Sequence, residues 1–166
     1  DTLPANVENL TLIGAAPING TGNSLNNVLT GNSANNVLTG GAGADIFQFT
    51  IGQANDDIIV DFVRDQGDTL QFFGYGTAAQ GATFTKVDDT HWKVISADQS
   101  IEETITVANG TTFEAGDVSF PPIYTPLANF IDHAVDEGFL KAVHRRAIVV
   151  SDDPDELLDL LSEVEL

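Results

Sequence analysis

Apolar residues come in pairs at nine-residue intervals through the first third of the chain. Val28-Leu29, Val37-Leu38 and Ile46-Phe47 each follow a polar or glycine-rich stretch. The units TGNSLNNVL, TGNSANNVL and TGGAGADIF run from Thr21 to Phe47 without a gap. Such self-similarity predicts a solenoid in which a turn alternates with a very short strand. Upstream, Val7 to Leu12 alternates in the strand manner, Gly14 marks a turn, and Ile18-Asn19-Gly20 offers another short edge. The imperfect period there fits a terminal coil capping the stack.

Downstream the alternation lengthens. Ile46-Phe47-Gln48-Phe49 is followed by a polar loop, then Asp57 to Phe62, then Gly67 to Phe72. Period two places Asp57, Ile59 and Asp61 on one face and Ile58, Val60 and Phe62 on the other. Further strands are predicted at Thr83 to Val87, His91 to Ser96, Glu103 to Val107 and Asp117 to Phe120, divided by turn signals at Asp88-Asp89, Ala97-Asp98 and Asn109-Gly110. Pro121-Pro122 then breaks the pattern. Leu127, Phe130, Ile131, Ala134 and Val135 fall at helical spacing, Arg146 to Val150 reads as a strand, and Asp153-Pro154 opens a second helix.

The chemistry concentrates at the turns. Gly40, Gly41 and Gly43 permit a tight loop with converging carbonyls, and alternation puts Asp45 and Phe47 on one face, the carboxylate under the turn. If two nonapeptides complete one coil, turns eighteen residues apart share an edge; Asn27 then neighbours Asp45, while Asn36 faces the opposite edge. Calcium takes six to eight oxygens, which two stacked turns can supply.

The stretch Gly40 to Phe47 resembles the G-G-x-G-x-D-x-U-x unit of the RTX family, the haemolysin-type calcium-binding repeat proteins. The resemblance implies a right-handed parallel β-roll with calcium in its turns. The D-x-I-x-D-F and D-x-L-x-F segments at Asp57 and Asp68 resemble those that close such rolls and complete the last calcium sites. Thr83 to Phe120 resembles the antiparallel cap of RTX end modules, which makes Trp92 a core residue and His91 a solvent-facing neighbour. The candidate calcium ligands are therefore Asn27, Gly41, Gly43, Asp45, Asp57, Asp61 and Asp68.

The upstream turns depart from the unit. Asn36 and Asn27 stand at the position of Asp45, Gly41 and Gly43 become Asn32 and Ala34 and then Asn23 and Leu25, and no charged residue lies between Asn9 and Ala44. These turns are expected to bind calcium weakly or to form a metal-free ladder of Asn and Thr. Asp57, Asp61 and Asp68 also have a plainer reading, as turn residues or exposed acids.

Six basic against 25 acidic residues give a net charge of −19, which argues against nucleic acid and anionic membranes and for cations as partners. No cysteine is present, which excludes disulfides and thiolate sites. The absence of methionine suggests a processed product or a piece of a longer protein. No apolar run reaches membrane-spanning length, so no membrane insertion is expected. His91, His133 and His144 lack zinc-protease spacing, and no G-x-S-x-G elbow occurs. No enzymatic role is expected of this chain, and the RTX resemblance implies that any catalytic domain would lie upstream of it.

The tail resembles the C-terminal end of the Lonely-guy family, the lysine-decarboxylase-like phosphoribohydrolases. The resemblance rests on Tyr124-Thr125-Pro126-Leu127, Phe130 to Leu140, His144-Arg145 and the Asp153-Pro154 helix. That family's P-G-G-x-G-T segment is absent, so no catalytic role carries over. An acidic amphipathic secretion signal is the other reading of this segment.

The expected fold is thus mainly β: a short parallel β-roll over 1–82, an antiparallel β cap over 83–120, and a helix-strand-helix tail over 121–166. The expected role is calcium-dependent folding and type I secretion of a larger extracellular protein. A non-catalytic phosphoribohydrolase remnant and an adhesive or ice-binding solenoid, the latter suggested by the Thr-Gly-Asn triplets at Thr21 and Thr30, are the alternatives.

Overall fold

The computed structural model describes residues 1–122. The chain divides into two compact units, Asp1–Pro121 and Pro122–Leu166. The helix-strand-helix expectation for the tail lies outside the described residues.

The nine-residue period produces strands of two or three residues: β1 (Asn9–Thr11), β2 (Gly20–Thr21), β3 (Val28–Thr30) and β4 (Val37–Thr39). Longer strands follow: β5 (Ile46–Thr50), β6 (Ile58–Ile59), β7 (Thr69–Phe73), β8 (Thr83–Lys86), β9 (His91–Ile95), β10 (Glu102–Val107) and β11 (Val118–Ser119). From β1 to β8 successive strands go to opposite sheets. One sheet runs β1-β3-β5-β7-β11 and the other β2-β4-β6-β10-β9-β8. Every pair in the first sheet is parallel, as a solenoid winding in one direction requires.

The expected coil length is found where the repeat is regular. Val28 pairs Ile46, and Asn27 meets Asp45 across a separation of 18 residues. Later coils are longer, with Asn36 to Asp57 separated by 21 residues and Asp45 to Asp68 by 23. The added residues enlarge the turns and leave the strand pairing in step. One enlarged turn carries the 3-10 segment Arg64–Gln66, the one helical element among the described residues.

Short strands β1, β3 and β4 each send one apolar side chain toward the core. Leu29, Phe47 and Leu70 stack in register in one sheet, Leu38 and Ile59 in the other, and all five are fully buried. Aromatic rings fill the widening lower end. Phe72 lies 5.3 Å from Phe49, 5.4 Å from Phe84 and 5.6 Å from Phe120, centroid to centroid, so the core is continuous from coils to cap. Trp92 is buried and stacks on Phe84 at 5.1 Å, while His91 is half-exposed, with its Nδ1 2.8 Å from Asp88.

Two local expectations are corrected. The segment Asp117 to Phe120 does not extend the antiparallel cap, because β11 crosses back to pair parallel with β7, Val118 opposite Leu70. The antiparallel pairs are β8 with β9 and β9 with β10, and β10 itself joins the roll parallel to β6. Phe62 does not share a face with Ile58 and Val60. Strand β6 ends at Ile59, the chain turns through Val60 and Asp61, and Phe62 falls inward at 1% exposure while Val60 is 39% exposed.

Candidate metal-binding turns

The turns between even and odd strands form one edge of the roll, and those between odd and even strands form the other. Asn27, Asp45 and Asp68 stand just before β3, β5 and β7 on the first edge. Asn36 and Asp57 stand just before β4 and β6 on the second. Gly41, Gly43 and Asp61 join the first group. Asp57 does not, so the sequence-derived ligand set divides between two edges.

One rule covers the aspartates on both edges: the carboxylate before the strand accepts a backbone amide of the coil before it. The Asn27 amide donates to Asp45 Oδ1 at 2.8 Å, the Asp45 amide to Asp68 Oδ1 at 2.9 Å, and the Asn36 amide to Asp57 Oδ1 at 2.7 Å. Asparagine serves its own turn instead. Asn27 Oδ1 accepts from the Asn23 amide at 2.7 Å, and Asn36 Oδ1 from the Asn32 amide at 2.8 Å. The asparagine turns thus close through their own amides, with Asn36 Nδ2 also donating to the Ile18 carbonyl at 2.9 Å.

The carboxylate turns are completed differently. In the Asp45 turn the amides of Gly40 and Gly41 donate to Asp61 Oδ1 and Oδ2, at 2.8 and 2.9 Å, and the Gly43 amide donates to Gln66 Oε1 at 2.9 Å. In the Asp57 turn Glu103 accepts the amides of Gly52, Ala54 and Asn55. Each aspartate is thereby left with one spare oxygen. Asp45 Oδ2 and Asp57 Oδ2 are buried without a hydrogen-bond partner. Asp68 differs, because its Oδ2 accepts from the Val63 amide at 2.7 Å.

Close packing brings these oxygens against backbone. A Cβ on Gly40 would lie 2.3 Å from Asp45 Oδ2, and one on Gly31 would lie 3.1 Å from Asp57 Oδ2. Gly41 is needed on two counts: its φ is +101°, and a Cβ would meet the Asn23 carbonyl oxygen at 2.3 Å. The glycines let one turn lie directly on the next.

Electrostatics favour a cation at both places. Burial raises the Asp45 carboxyl above the usual range; the Asn27 amide opposes this, and Asp68 and Asp61 add to it. Asp57 is pushed up to about 7, chiefly by burial and further by Glu103 and Asp56. Asp68 is raised by burial as well. A buried carboxylate oxygen with no donor is a costly arrangement that a proton or a hard cation relieves. The residues therefore fit calcium, with Asp45 and Asp57 offering a free oxygen each. Among the described residues no three acidic or imidazole side chains converge as a ready cluster. Turn carbonyls or water would have to supply the remaining oxygens.

Glu103, Tyr75 and Gln66 escaped the sequence reading. Glu103 carried a signal, since a charged residue stands on the same alternation phase as Ile105 and Val107. Gln66 carried none, because its place in the turn depends on the enlarged coil.

Residues 21–53 match the RTX calcium-binding nonapeptide repeat family in four copies. The chain is also 48% identical over 40 residues to a probable cytokinin riboside 5'-monophosphate phosphoribohydrolase of Oryza sativa subsp. japonica, a match covering 24% of this chain and 16% of that protein. In structure it is similar to the AlgE6R3 subunit of the Azotobacter vinelandii mannuronan C5-epimerase, at a TM-score of 0.41 and 23% identity, covering 70% of this chain and 76% of that one.

Proposed function

We propose, from the RTX calcium-binding nonapeptide repeats that residues 21–53 carry, that this chain is a β-roll module whose folding is coupled to calcium uptake. The carrying observation is the pair of buried, unpartnered oxygens, Asp45 Oδ2 and Asp57 Oδ2. Asp45 would hold calcium on the first edge, with Asp61 and Asp68 contributing charge and Gly41 and Gly43 allowing the turns to approach. Asn27 is the neutral neighbour in the coil above. Asp57 would hold calcium on the second edge, beneath Asn36.

Coupling to folding follows from charge. A net charge of −19 opposes compaction, and the turn carboxylates lie close together only in the folded roll. Calcium binds that state preferentially and stabilises it by mass action. A module of this kind is only marginally stable where calcium is scarce and closes firmly in a calcium-rich exterior. This suits a larger extracellular protein exported through a type I secretion apparatus, with any catalytic function in another part of that protein. A tail related to a phosphoribohydrolase would be non-catalytic here, because the P-G-G-x-G-T segment is missing from the sequence.

Calcium titration of the chelator-treated protein, followed by circular dichroism and by direct ion binding, tests the reading. Strand signal should rise with saturable uptake of calcium. Full native signal in chelator, with no calcium bound on addition, would sink it.

A further inference from the structure

Glu103 breaks the apolar rule of β10. Alternation sends Glu103, Ile105 and Val107 inward, and Glu103 is 5% exposed. Its Oε1 accepts the amides of Ala54 and Asn55 at 2.9 and 3.1 Å; its Oε2 accepts the Gly52 amide at 3.0 Å and the Tyr75 hydroxyl. Four donors saturate a carboxylate, so this group has no lone pair to spare for a metal. It works on the turn.

That turn runs into Asp57, and it lacks the glycine-rich repeat that shapes the Asp45 turn. Two of its residues are left-handed, Gly52 at φ 78° and Asp56 at φ 61°. Two further ties come from β10: the Asp56 amide donates to the Thr104 carbonyl at 2.8 Å, and the Thr104 amide to Asn55 Oδ1 at 3.2 Å; the turn's other backbone bonds run from Ile51 to Phe73 of β7 and locally from Gln53 to Thr50 and from Asp57 to Ala54. Its conformation is thus imposed by a strand 48 to 51 residues further along the chain. The Asp45 turn is held by Asp61, only 20 and 21 residues from the amides it accepts.

We propose that Glu103 is the positioning residue of the Asp57 turn: it gathers the amides of Gly52, Ala54 and Asn55, so that a divalent cation binds at Asp57 only after β10 has docked. This rests on the calcium reading above and refines it. The two edges fill in order. The Asp45 edge is completed within the roll, by Asp61, Gln66 and Asp68, and the Asp57 edge waits for the cap.

Two readouts on the full chain test this. In the calcium-free protein, NMR hydrogen exchange should show the amides of Gly52, Ala54 and Asn55 protected, and Glu103→Gln should accelerate the exchange of Gly52 well beyond that of Asn27 or Asn36. Calcium isotherms should resolve two classes of site. Glu103→Gln should weaken one class about tenfold or more, Asp57→Asn should abolish the same class, and the double variant should lose nothing further. Equal weakening of both classes, or of neither, would overturn the proposal. If Glu103→Gln fails to fold, Tyr75→Phe removes one donor to the same carboxylate and should selectively weaken the same class; an unselective effect overturns the proposal. Absence of calcium binding in the parent protein defeats the calcium reading and the ordering with it, while the exchange data separately decide whether Glu103 holds the turn.

Discussion

Asn27 and Asp45 occupy the same place in successive coils, and the amide of the first donates to Oδ1 of the second at 2.8 Å. The contact uses one carboxylate oxygen for architecture and leaves Oδ2 buried beside Gly40 with no partner. One oxygen of this side chain thus serves the architecture, and the other is the one the proposed calcium would use. The same division holds at Asp57, whose Oδ1 takes the Asn36 amide.

Asp45→Asn should separate these tasks. The amide oxygen can still receive the Asn27 amide, while the buried charge is removed. Calcium-free stability should rise by about 1 kcal/mol, because an unpartnered neutral amide costs less to bury than an unpartnered carboxylate, and the stabilisation gained from calcium should shrink. Urea unfolding with and without calcium measures both. A calcium-dependent gain as large as in the parent protein would show that Asp45 is not a ligand.

The buried acids also fix the sign of the pH dependence. Asp57 titrates near 7 in the folded chain against 3.8 ordinarily, and Asp45 and Asp68 shift the same way, each mainly through burial. Folding of the calcium-free protein therefore takes up protons between these limits. The stabilisation is fully present below 3.8 and is lost as pH rises through about 7. Asp88 and Asp98 are lowered, mainly by hydrogen bonds from the Thr90 amide and the Ser96 hydroxyl respectively, so their contribution fades only as pH falls below the usual carboxylate range. Denaturation in chelator should show a higher midpoint at about pH 5.5 than at about pH 8. Calcium affinity should change oppositely, rising with pH as the ion displaces protons. A calcium-free midpoint that climbs with pH across this range would contradict the burial argument.

The coils were legible because a nine-residue period leaves little freedom: one inward side chain per short strand fixes both register and edge. Asn27 beside Asp45, Asn36 on the opposite edge, and Asp45 and Phe47 facing inward all follow from that count. Beyond Thr50 the period fails and local alternation cannot locate corners. Phe62 was grouped on one face with Ile58 and Val60 because strand phase was carried through Asp61, where the chain turns. Asp57 was grouped with Asp45 because residue type was legible and edge was not. The inward phase of Glu103 was legible but its partners were not: the three amides are 48 to 51 residues away, a distance that only the folded coil closes.

Stacking of turns gives a sharper test than glycine content. Gly41→Ala meets both a left-handed backbone and the Asn23 carbonyl oxygen 2.3 Å from its new methyl group. Gly14→Ala meets only the left-handed backbone at φ +86°, with nothing within 4 Å. The Gly14 variant should lose about 1 kcal/mol, near the lower end of backbone strain costs. The Gly41 variant should lose clearly more, and calcium should recover less of it. Equal losses in thermal unfolding would mean that the turns are not packed as closely as Gly41 requires.

Phe72 tests whether the roll and the strands beyond it melt together. Its ring stacks on Phe49 from the coils and on Phe120 near β11, and also meets Tyr75 edge-on at 5.5 Å and Phe84 of β8 at 5.4 Å. Phe72→Ala should cost about 3–5 kcal/mol as a buried aromatic truncation. Because the lost contacts join repeats to cap, the damage should fall on their coupling. Trp92, buried against Phe84 and Phe113, reports the cap by fluorescence, while far-ultraviolet dichroism reports the whole strand content. In the parent protein with calcium the two signals should change at one denaturant concentration. In Phe72→Ala the tryptophan transition should come first. Coincident transitions in the variant would place the coupling elsewhere, with the Glu103 contacts to the Asp57 turn as the next link to cut.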